Sequence, residues 1–356
     1  MKKYYIELKK KINTIYKKNR LKKKKLAFFI SNTAKFKNVP FYFTPIRETK
    51  NFYYFGITLF NDIFVKKICS IIDGKFNTIF VDTEKKSLNF QKKNHLTNVE
   101  RAVKENIQKS YLKFYKANDL TVDAAENFLE LQFKDEVRNL GGKNILIIGV
   151  GNIGFKLCLR LIERGANVEV YRRDAKKLSQ ICQLINFIKP AGNKSRVKPF
   201  FPKKNKFNKF NVIICCAKGT NIIRLKKITE LKKNVILLDI GKGMFDQNTL
   251  SKLNENNLVV YRLDVSSSLD MKVENSEIFK LLEKKEYNKV NLGKYKLVSN
   301  GLLGQKNDII VDDAKNPKII FGVCDGRGDF VFISKEKKTK ITKELNKFLK
   351  KKINFI

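Results

Sequence analysis

Three glycines in the stretch NILIIGVGNIGFKLCLRLIERG, residues 144–165, could bind a ligand through the backbone groups that they expose. Gly149, Gly151 and Gly154 fit the pattern G-x-G-x-x-G, which follows an apolar run and opens a segment with helical spacing. In that context the first glycine permits a tight turn, the second lets the backbone approach a pyrophosphate, and the third lets helix and strand pack closely. The free amides at the start of the helix would hold the phosphates. The contacts predicted from this loop are Gly149, Gly151, Asn152, Ile153 and Gly154.

Two arginines end the next apolar segment, NVEVYRR. At this position an NAD site usually carries an acid, which accepts hydrogen bonds from the ribose hydroxyls. NADP carries a phosphate there, which an acid would repel and an arginine can grip through its planar fork. Arg172 and Arg173 therefore predict NADP(H), held by both side chains. NAD is the alternative, because both arginines could be solvated charges in a lysine-rich chain.

The pattern around these residues predicts an α/β fold with a Rossmann-type, doubly wound parallel sheet over residues 141–265. NILIIG is a continuous apolar run, which is typical of a strand buried on both faces. NVIICCA (211–217), NVILLDIG (234–241) and LVVYRLDV (258–265) predict further strands, and 191–210 a surface loop. Residues 1–118 predict a smaller α/β domain for the substrate, since VPFYFTPI and NTIFVDT flank a segment with helical spacing.

Two segments outside the predicted sheets connect or extend them. Residues 99–139 predict a helix in two pieces, broken near 116–119, and the second piece, 119–140, would connect the domains with Asn118 or Asp119 as its cap. Residues 266–356 predict an extension that packs on the cleft or on the N-terminal domain. It would contain a hairpin over 318–334 and a closing basic amphipathic helix.

The composition limits the classes of binding partner and the cellular compartment that we expect for the protein. The formal net charge is +41, but the lysines lie along the whole chain, so we expect a small-molecule substrate rather than nucleic acid. Residues 1–25 are interpreted as a solvated basic arm, with an acidic partner or a membrane surface as the alternative. No apolar run reaches the roughly 20 residues of a membrane span, and no cluster has metal-ligand spacing. The six cysteines form no C-x-x-C pair, which favours the reducing cytoplasm.

The glycine-rich stretch and its second strand resemble the cofactor domain shared by S-adenosylhomocysteine hydrolases, dipicolinate synthase A subunits, D-2-hydroxyacid dehydrogenases and, more loosely, shikimate dehydrogenases. The later stretch IICCAKGTNIIRLKKITELKKNVILLDIGKGMFDQNTL is similar to the matching part of the first two families. The resemblance implies a cofactor cleft lined by Cys216, Ala217, Lys218, Gly219 and Asn221, with Asp239, Ile240 and Gly241 nearby.

The catalytic group is left open by the sequence. D-2-hydroxyacid dehydrogenases use a histidine in the second half of the cofactor domain, whereas the only histidine here is His95. Proton transfer would then fall to another residue type, such as a lysine oriented by an aspartate. The candidates are Lys116 with Asp119 or Asp123, and Lys218 or Lys242 at the strand ends. Each of them could also be a surface charge or a helix cap.

These observations predict an NADP(H)-dependent oxidoreductase that acts on a C=O or C=N bond of a small polar, anionic metabolite. Two alternatives stay open. One is a lyase or hydrolase that keeps NAD tightly bound, as the hydrolase resemblance implies, although the acid that those hydrolases carry is absent where Arg172 stands. The other is a non-catalytic cofactor sensor or a basic nucleic-acid-binding protein. The sequence leaves the substrate unnamed, and a homodimer is one option for the assembly.

Overall fold

The computed structural model describes residues 2–33, 39–86, 88–89, 95–96, 98–202, 206–217, 225–283 and 285–356. Two compact units divide the chain, Met1–Glu274 and Asn275–Ile356. The first unit contains a mostly parallel N-terminal sheet, an all-parallel central sheet and a two-stranded antiparallel sheet, and the second unit contains one mixed sheet. Among the described residues, no helix combines the length and the apolar character needed to cross a membrane.

The N-terminal sheet has the strand order β2-β4-β1-β5-β8, with β3 paired to β4. Strands β1, β4, β5 and β8 are parallel, and β2 and β3 are antiparallel to β4. Its strands are β1 (Lys25–Asn32), β2 (Phe41–Phe43), β3 (Arg47–Glu48), β4 (Phe52–Leu59), β5 (Thr78–Asp82) and β8 (Tyr111–Tyr115). A separate two-stranded sheet pairs β6 (Leu88–Asn89) with β7 (His95–Leu96). The helices of this region are α1 (Lys2–Lys22), α2 (Val65–Ile72) and α3 (Val99–Lys104).

Helix α1 corrects the interpretation of the N-terminus as a solvated basic arm. Leu8, Ile12 and Ile15 are fully or almost fully buried in the core between the helices and the N-terminal sheet. Their spacing places them on one face of a helix, so the lysines fall on the other faces and remain in water. The basic segment is therefore an amphipathic helix that contributes to the core.

The connection between the two sheets differs from the predicted broken helix. Strand β8 occupies part of the first predicted helical piece, and α4 (Ala117–Gln132) ends before the predicted Leu140. The start of α4 is capped from the N-terminal sheet: the amide of Ala117 donates to Asp82 at 3.3 Å, and that of Asn118 donates to Glu84 at 3.1 Å. The predicted caps, Asn118 and Asp119, lie inside the first turn instead.

The central sheet has the order β11-β10-β9-β12-β13-β14, and all its strands are parallel. Counted within this sheet the order is 3-2-1-4-5-6, that of a doubly wound α/β sheet, so the predicted fold class is confirmed. The strands are β9 (Asn144–Ile148), β10 (Asn167–Tyr171), β11 (Val197–Pro199), β12 (Val212–Cys215), β13 (Ile236–Asp239) and β14 (Val260–Arg262). The helices are α5 (Asn152–Glu163), α6 (Ala175–Ile188) and α7 (Gln247–Glu255), with a 3-10 turn at Leu225–Glu230. The prediction of a loop over 191–210 is wrong where β11 forms.

Alternation along β9 explains why its apolar run is continuous. Ile145 and Ile147 face the core formed with α4, α5 and α6, whereas Leu146 and Ile148 face the core formed with α7. A strand covered on both faces has no position for a polar side chain. Helix α8 (Ser266–Glu274) then packs on α4 and on the N-terminal sheet, where the hydroxyl of Tyr54 donates to Asp270 at 2.6 Å.

The second unit is a mixed sheet, β15-β16-β17-β18-β19, with α10 against one face. Its elements are α9 (Ser276–Glu283), β15 (Lys289–Leu292), β16 (Tyr295–Ser299), β17 (Ile309–Val311), β18 (Ile319–Val323), α10 (Lys335–Leu349) and β19 (Asn354–Phe355). The hairpin predicted over 318–334 is reduced to one isolated bridge between Cys324 and Phe330. Instead, β18 pairs with β17 and β19. The predicted closing helix is confirmed as α10.

Candidate cofactor site

The glycine loop between β9 and α5 is shaped by close contacts at two of its glycines. Gly149 has φ +96°, and a Cβ atom there would lie 2.6 Å from the Cβ of Ala217. A Cβ atom at Gly154 would lie 2.2 Å from the carbonyl oxygen of Gly149. Neither distance is compatible with a side chain, so both positions require glycine for the fold itself.

Gly151 is different, because a Cβ atom there would meet nothing within 4 Å. It is the N-cap residue of α5, and no side chain among the described residues accepts a hydrogen bond from the first amides of that helix. Asn152 and Ile153 begin the helix, so their amides belong to the end where the helix dipole is positive. The loop is thus a concave backbone surface that a side chain would fill and that a phosphate can approach.

A cavity of about 370 Å³ lies next to this loop. Its lining comes from the ends of β9, β10 and β12, and consists of Gly149, Val150, Gly151, Tyr171, Arg172, Arg173, Asp174, Cys216 and Ala217. Strands β9 and β12 are neighbours whose connections leave in opposite directions along the sheet. In open α/β sheets, ligands bind at this reversal, outside the carboxyl ends of the strands.

The two arginines differ in their environment. The Nη1 of half-buried Arg172 donates to the carbonyl oxygen of Val150 at 3.0 Å. Arg173 is exposed and makes no hydrogen bond or ion pair with the described residues. The nearby acid is engaged elsewhere, because Asp174 caps α6 by accepting from the amide of Lys177 at 3.0 Å.

The ends of β12 and β13 form the far side of the site. Gly241 packs so closely that a Cβ atom there would lie 2.3 Å from the carbonyl oxygen of Ala217. The carboxylate of Asp239 accepts from the amides of Lys242 and Gly243, both at 2.9 Å, and so fixes the turn that follows Ile240. Lys242 is exposed at φ +68° in that turn. The sequence candidates Lys218, Gly219 and Asn221 lie outside the described residues.

The thiols near the cavity are poor nucleophiles. Cys215 is buried, and its Sγ donates to the carbonyl oxygen of Ala217 at 3.3 Å. Burial raises the pKa of Cys215 to about 11 and also raises the pKa of half-buried Cys216. Both thiols therefore stay protonated at neutral pH, and thiolate chemistry is disfavoured.

The structure does not pair Lys116 with Asp119 or Asp123, the catalytic candidates at the start of α4. Lys116 is exposed and forms no ion pair with the described residues. Asp119 pairs with Lys156 of α5 at 2.5 Å, and Asp123 pairs with Arg160 at 2.6 Å. These acids belong to a row of ion pairs between α4 and α5, and this row explains their spacing without a role in proton transfer.

A cluster that the sequence analysis missed lies at the carboxyl end of β5. Asp82 is buried and accepts from the Nζ of Lys86 at 3.2 Å. Lys86 also pairs with Glu84, and its side chain keeps one fifth of its surface exposed. Burial raises the pKa of Asp82 above its ordinary value, although the ammonium of Lys86 and the amides of Glu84 and Ala117 oppose this shift.

This cluster is linked to the glycine loop through Asn118. The backbone amide of Asn118 donates to Glu84, and its side-chain Nδ2 donates to Oδ1 of Asn152 at 3.3 Å. The carboxyl end of the N-terminal sheet therefore meets the start of α5. One feature of the sequence could have indicated the cluster: the acids of DTEKK stand at the end of an apolar strand, where acids frequently bind ligands or cap helices.

Comparisons with known proteins agree with this geometry. The family model for shikimate / quinate 5-dehydrogenase matches residues 132–263, from the end of α4 to just beyond β14. This domain belongs to the NAD(P)-binding Rossmann superfamily of oxidoreductases. The cradle at Gly151, the free helix start and the cavity at the strand reversal fit the phosphates of such a cofactor.

The chain also matches two curated glutamyl-tRNA reductases. The protein from Thermosipho melanesiensis is 24% identical over 115 residues, which are 32% of this chain and 29% of that protein. The protein from Flavobacterium psychrophilum is 27% identical over 157 residues, which are 43% of this chain and 35% of that protein. The chain thus spans about a third of the length of these relatives. Among solved structures, a dipicolinate synthase chain from Bacillus halodurans is 11% identical, with a TM-score of 0.35 over 73% of this chain and 98% of that chain.

Proposed function

We propose that the protein is an NADP(H)-dependent reductase or dehydrogenase that acts on a C=O or C=N bond of a small polar metabolite. The observation that carries the cofactor choice is the rim of the cavity at the end of β10. Arg172 and Arg173 line it, while the carboxylate of Asp174 caps α6. At the end of β10, where NAD sites place an acid, a 2′-phosphate would meet guanidinium groups.

The nicotinamide, when bound, would supply or accept a hydride at the reacting carbon. The chain must then hold or move one proton at the neighbouring oxygen or nitrogen. We assign this proton to the Nζ of Lys86 in preference to Lys116, because Asp82 and Glu84 hold the Lys86 ammonium at the carboxyl edge of a sheet. Lysine is a competent general acid when its position is fixed by hydrogen bonds. Lys218 stays a second candidate.

The substrate's charge is a further part of the proposal. With Asp82 and Glu84 ionised, their cluster with Lys86 has no net positive charge. The cluster therefore fits the carbonyl or imine group of a substrate better than a carboxylate. An anionic group of the substrate would need a separate cation. Lys242 supports that role, because it is exposed beside Gly241 and its ammonium group has no partner among the described residues.

The proposal is tested by following the absorbance of reduced nicotinamide with the full chain. NADPH would be offered with glyoxylate, pyruvate and 2-oxoglutarate, and NADP⁺ with shikimate and quinate, the two compounds in the name of the matching family. We expect turnover of at least one compound, and loss of that turnover in Lys86→Ala. Lys85→Ala is the matched control, because Lys85 pairs with Glu100 instead. Equal turnover in wild type and Lys86→Ala would remove Lys86 from the reaction. NAD that copurifies and never exchanges would favour the bound-NAD lyase or hydrolase.

A further inference from the structure

The hydrogen bond from Arg172 to Val150 ties the end of β10 to the glycine loop. Val150 is 2% exposed and stands between the two glycines at the centre of the loop. A backbone hydrogen bond from the amide of Gly149 to the carbonyl of Tyr171, at 2.9 Å, joins the same two segments. Arg172 therefore closes a contact between the phosphate-facing loop and the strand end that would face the ribose.

This contact restricts the conformation of the glycine loop, which has few side chains of its own to do so. Gly149 adopts a left-handed backbone conformation, and Gly151 has open space where a side chain would stand. Glycine loses more conformational freedom on ordering than any other residue. A charge-assisted hydrogen bond to the carbonyl between these glycines therefore favours one loop conformation over many.

The same contact limits what Arg172 can do for a 2′-phosphate. If its guanidinium turned away to grip a phosphate, the carbonyl of buried Val150 would lose the donor that the structure gives it. An unsatisfied buried carbonyl costs free energy, which opposes that movement. The guanidinium of Arg173 makes no such hydrogen bond, since it is exposed and lacks a partner among the described residues.

We infer that the two arginines have separate tasks, an inference that rests on the proposed NADP(H) function. Arg172 is a positioning residue, which holds the glycine loop in the conformation that receives the pyrophosphate of either dinucleotide. Arg173 is the specificity residue, which contacts the 2′-phosphate and so distinguishes NADPH from NADH. Both residues line the cavity, but only the second one discriminates between the cofactors.

The test compares calorimetric binding of NADPH, NADH and ADP-ribose to the full chain and its variants. ADP-ribose is included because it has the pyrophosphate but lacks the 2′-phosphate and the nicotinamide. We expect Arg172→Ala to weaken all three ligands by a similar factor, about tenfold or more for a lost charge-assisted hydrogen bond. Arg172→Lys should restore part of this loss, because lysine can still donate to the carbonyl. Arg173→Ala should weaken NADPH alone, by about tenfold or more.

A second readout needs no ligand. Amide hydrogen exchange over residues 149–154 should be faster in Arg172→Ala than in wild type and unchanged in Arg173→Ala. Arg196→Ala is the matched control, since that exposed arginine lines a different cavity, with Asn144 and Asn167. Its binding and its exchange should equal those of wild type.

Three outcomes would overturn the inference. The first is a loss in Arg172→Ala that is confined to NADPH, which would make Arg172 a phosphate contact. The second is unchanged binding of all ligands by Arg172→Ala, which would leave the loop independent of this arginine. The third is equal weakening of NADPH and NADH by Arg173→Ala. A wild-type chain that binds ADP-ribose but prefers NADH contradicts the proposed NADP(H) function, and the effect of Arg172→Ala on ADP-ribose still decides the positioning role.

Discussion

Alanine at Gly151 and at Gly154 should separate nucleotide binding from folding. Both substitutions add one methyl group to the same loop and helix start. At Gly154 that group would lie 2.2 Å from the carbonyl oxygen of Gly149, whereas at Gly151 it would meet nothing within 4 Å. The two variants therefore test whether the open space at Gly151 exists for a ligand.

The expected stabilities follow from these distances. Overpacking against fixed backbone costs roughly 1–3 kcal/mol or more, and the better helix propensity of alanine offsets about 1 kcal/mol of it. A contact of 2.2 Å puts the cost at the upper end of this range, so Gly154→Ala should lower the free energy of unfolding by about 2 kcal/mol or more. Tm should fall by about 2–4 °C per kcal/mol. Gly151 has φ −94°, which alanine adopts readily, so Gly151→Ala should leave Tm unchanged or raise it slightly.

Binding should show the opposite order for Gly151. A methyl group there would occupy the space that the pyrophosphate approaches, so ADP-ribose should bind Gly151→Ala about tenfold or more weakly than wild type. Thermal unfolding with and without ADP-ribose measures both effects in one experiment, because a ligand that binds only the folded state raises Tm. If Gly151→Ala keeps the wild-type Tm and also the full ligand-induced rise in Tm, the assignment of this space to a pyrophosphate is refuted.

Three further predictions concern stability and reactivity. The hydrogen bond from Lys22 to Glu48 holds the pKa of the Glu48 carboxyl at about 2, below its ordinary 4.5. The stabilising effect of this ion pair is therefore present above pH 4.5 and is lost as the pH falls toward 2. Glu48→Gln should lower Tm at neutral pH and match wild type near pH 2. Arg160→Ala removes ion pairs between α4 and α5 and should cost about 1 kcal/mol at low salt and less at high salt, as chemical denaturation in both buffers would show. Cys216 should react with a disulfide reagent at neutral pH only slowly until denaturant is added, because its thiol has a raised pKa, and rapid reaction of the native protein would contradict this.

The features that the sequence predicted well are those with local causes. Gly149 and Gly151 lie between β9 and α5, and Gly154 lies in the first turn of α5, as the motif requires, because their spacing is fixed along the chain. The continuous apolar run of β9 predicted a strand covered on both faces, and the two cores of the central sheet are the reason. Such patterns need no knowledge of distant contacts.

The features that were missed depend on contacts between distant segments. Strand β8 contains a lysine and aromatic residues in YLKFY, and only its pairing with β5 decides its conformation. The core face of α1 is hidden by the abundance of lysine in the chain. The position of Asp82 at the end of an apolar strand is visible in the sequence, but its pairing with Lys86 is not, because the chain has 75 Lys and Arg. The burial of Asp82 arises from the packing of the N-terminal sheet under α4.

Recognition of a phosphate at the end of β10 is tested by the ratio of the Kd values for NADH and NADPH, determined by fluorescence titration of the wild-type chain at near-physiological salt. We expect NADPH to bind about tenfold or more tightly than NADH, because Arg172 and Arg173 stand at the strand end where NAD sites carry an acid. Equal affinities, or tighter binding of NADH, would contradict the claim that the end of β10 recognises a phosphate.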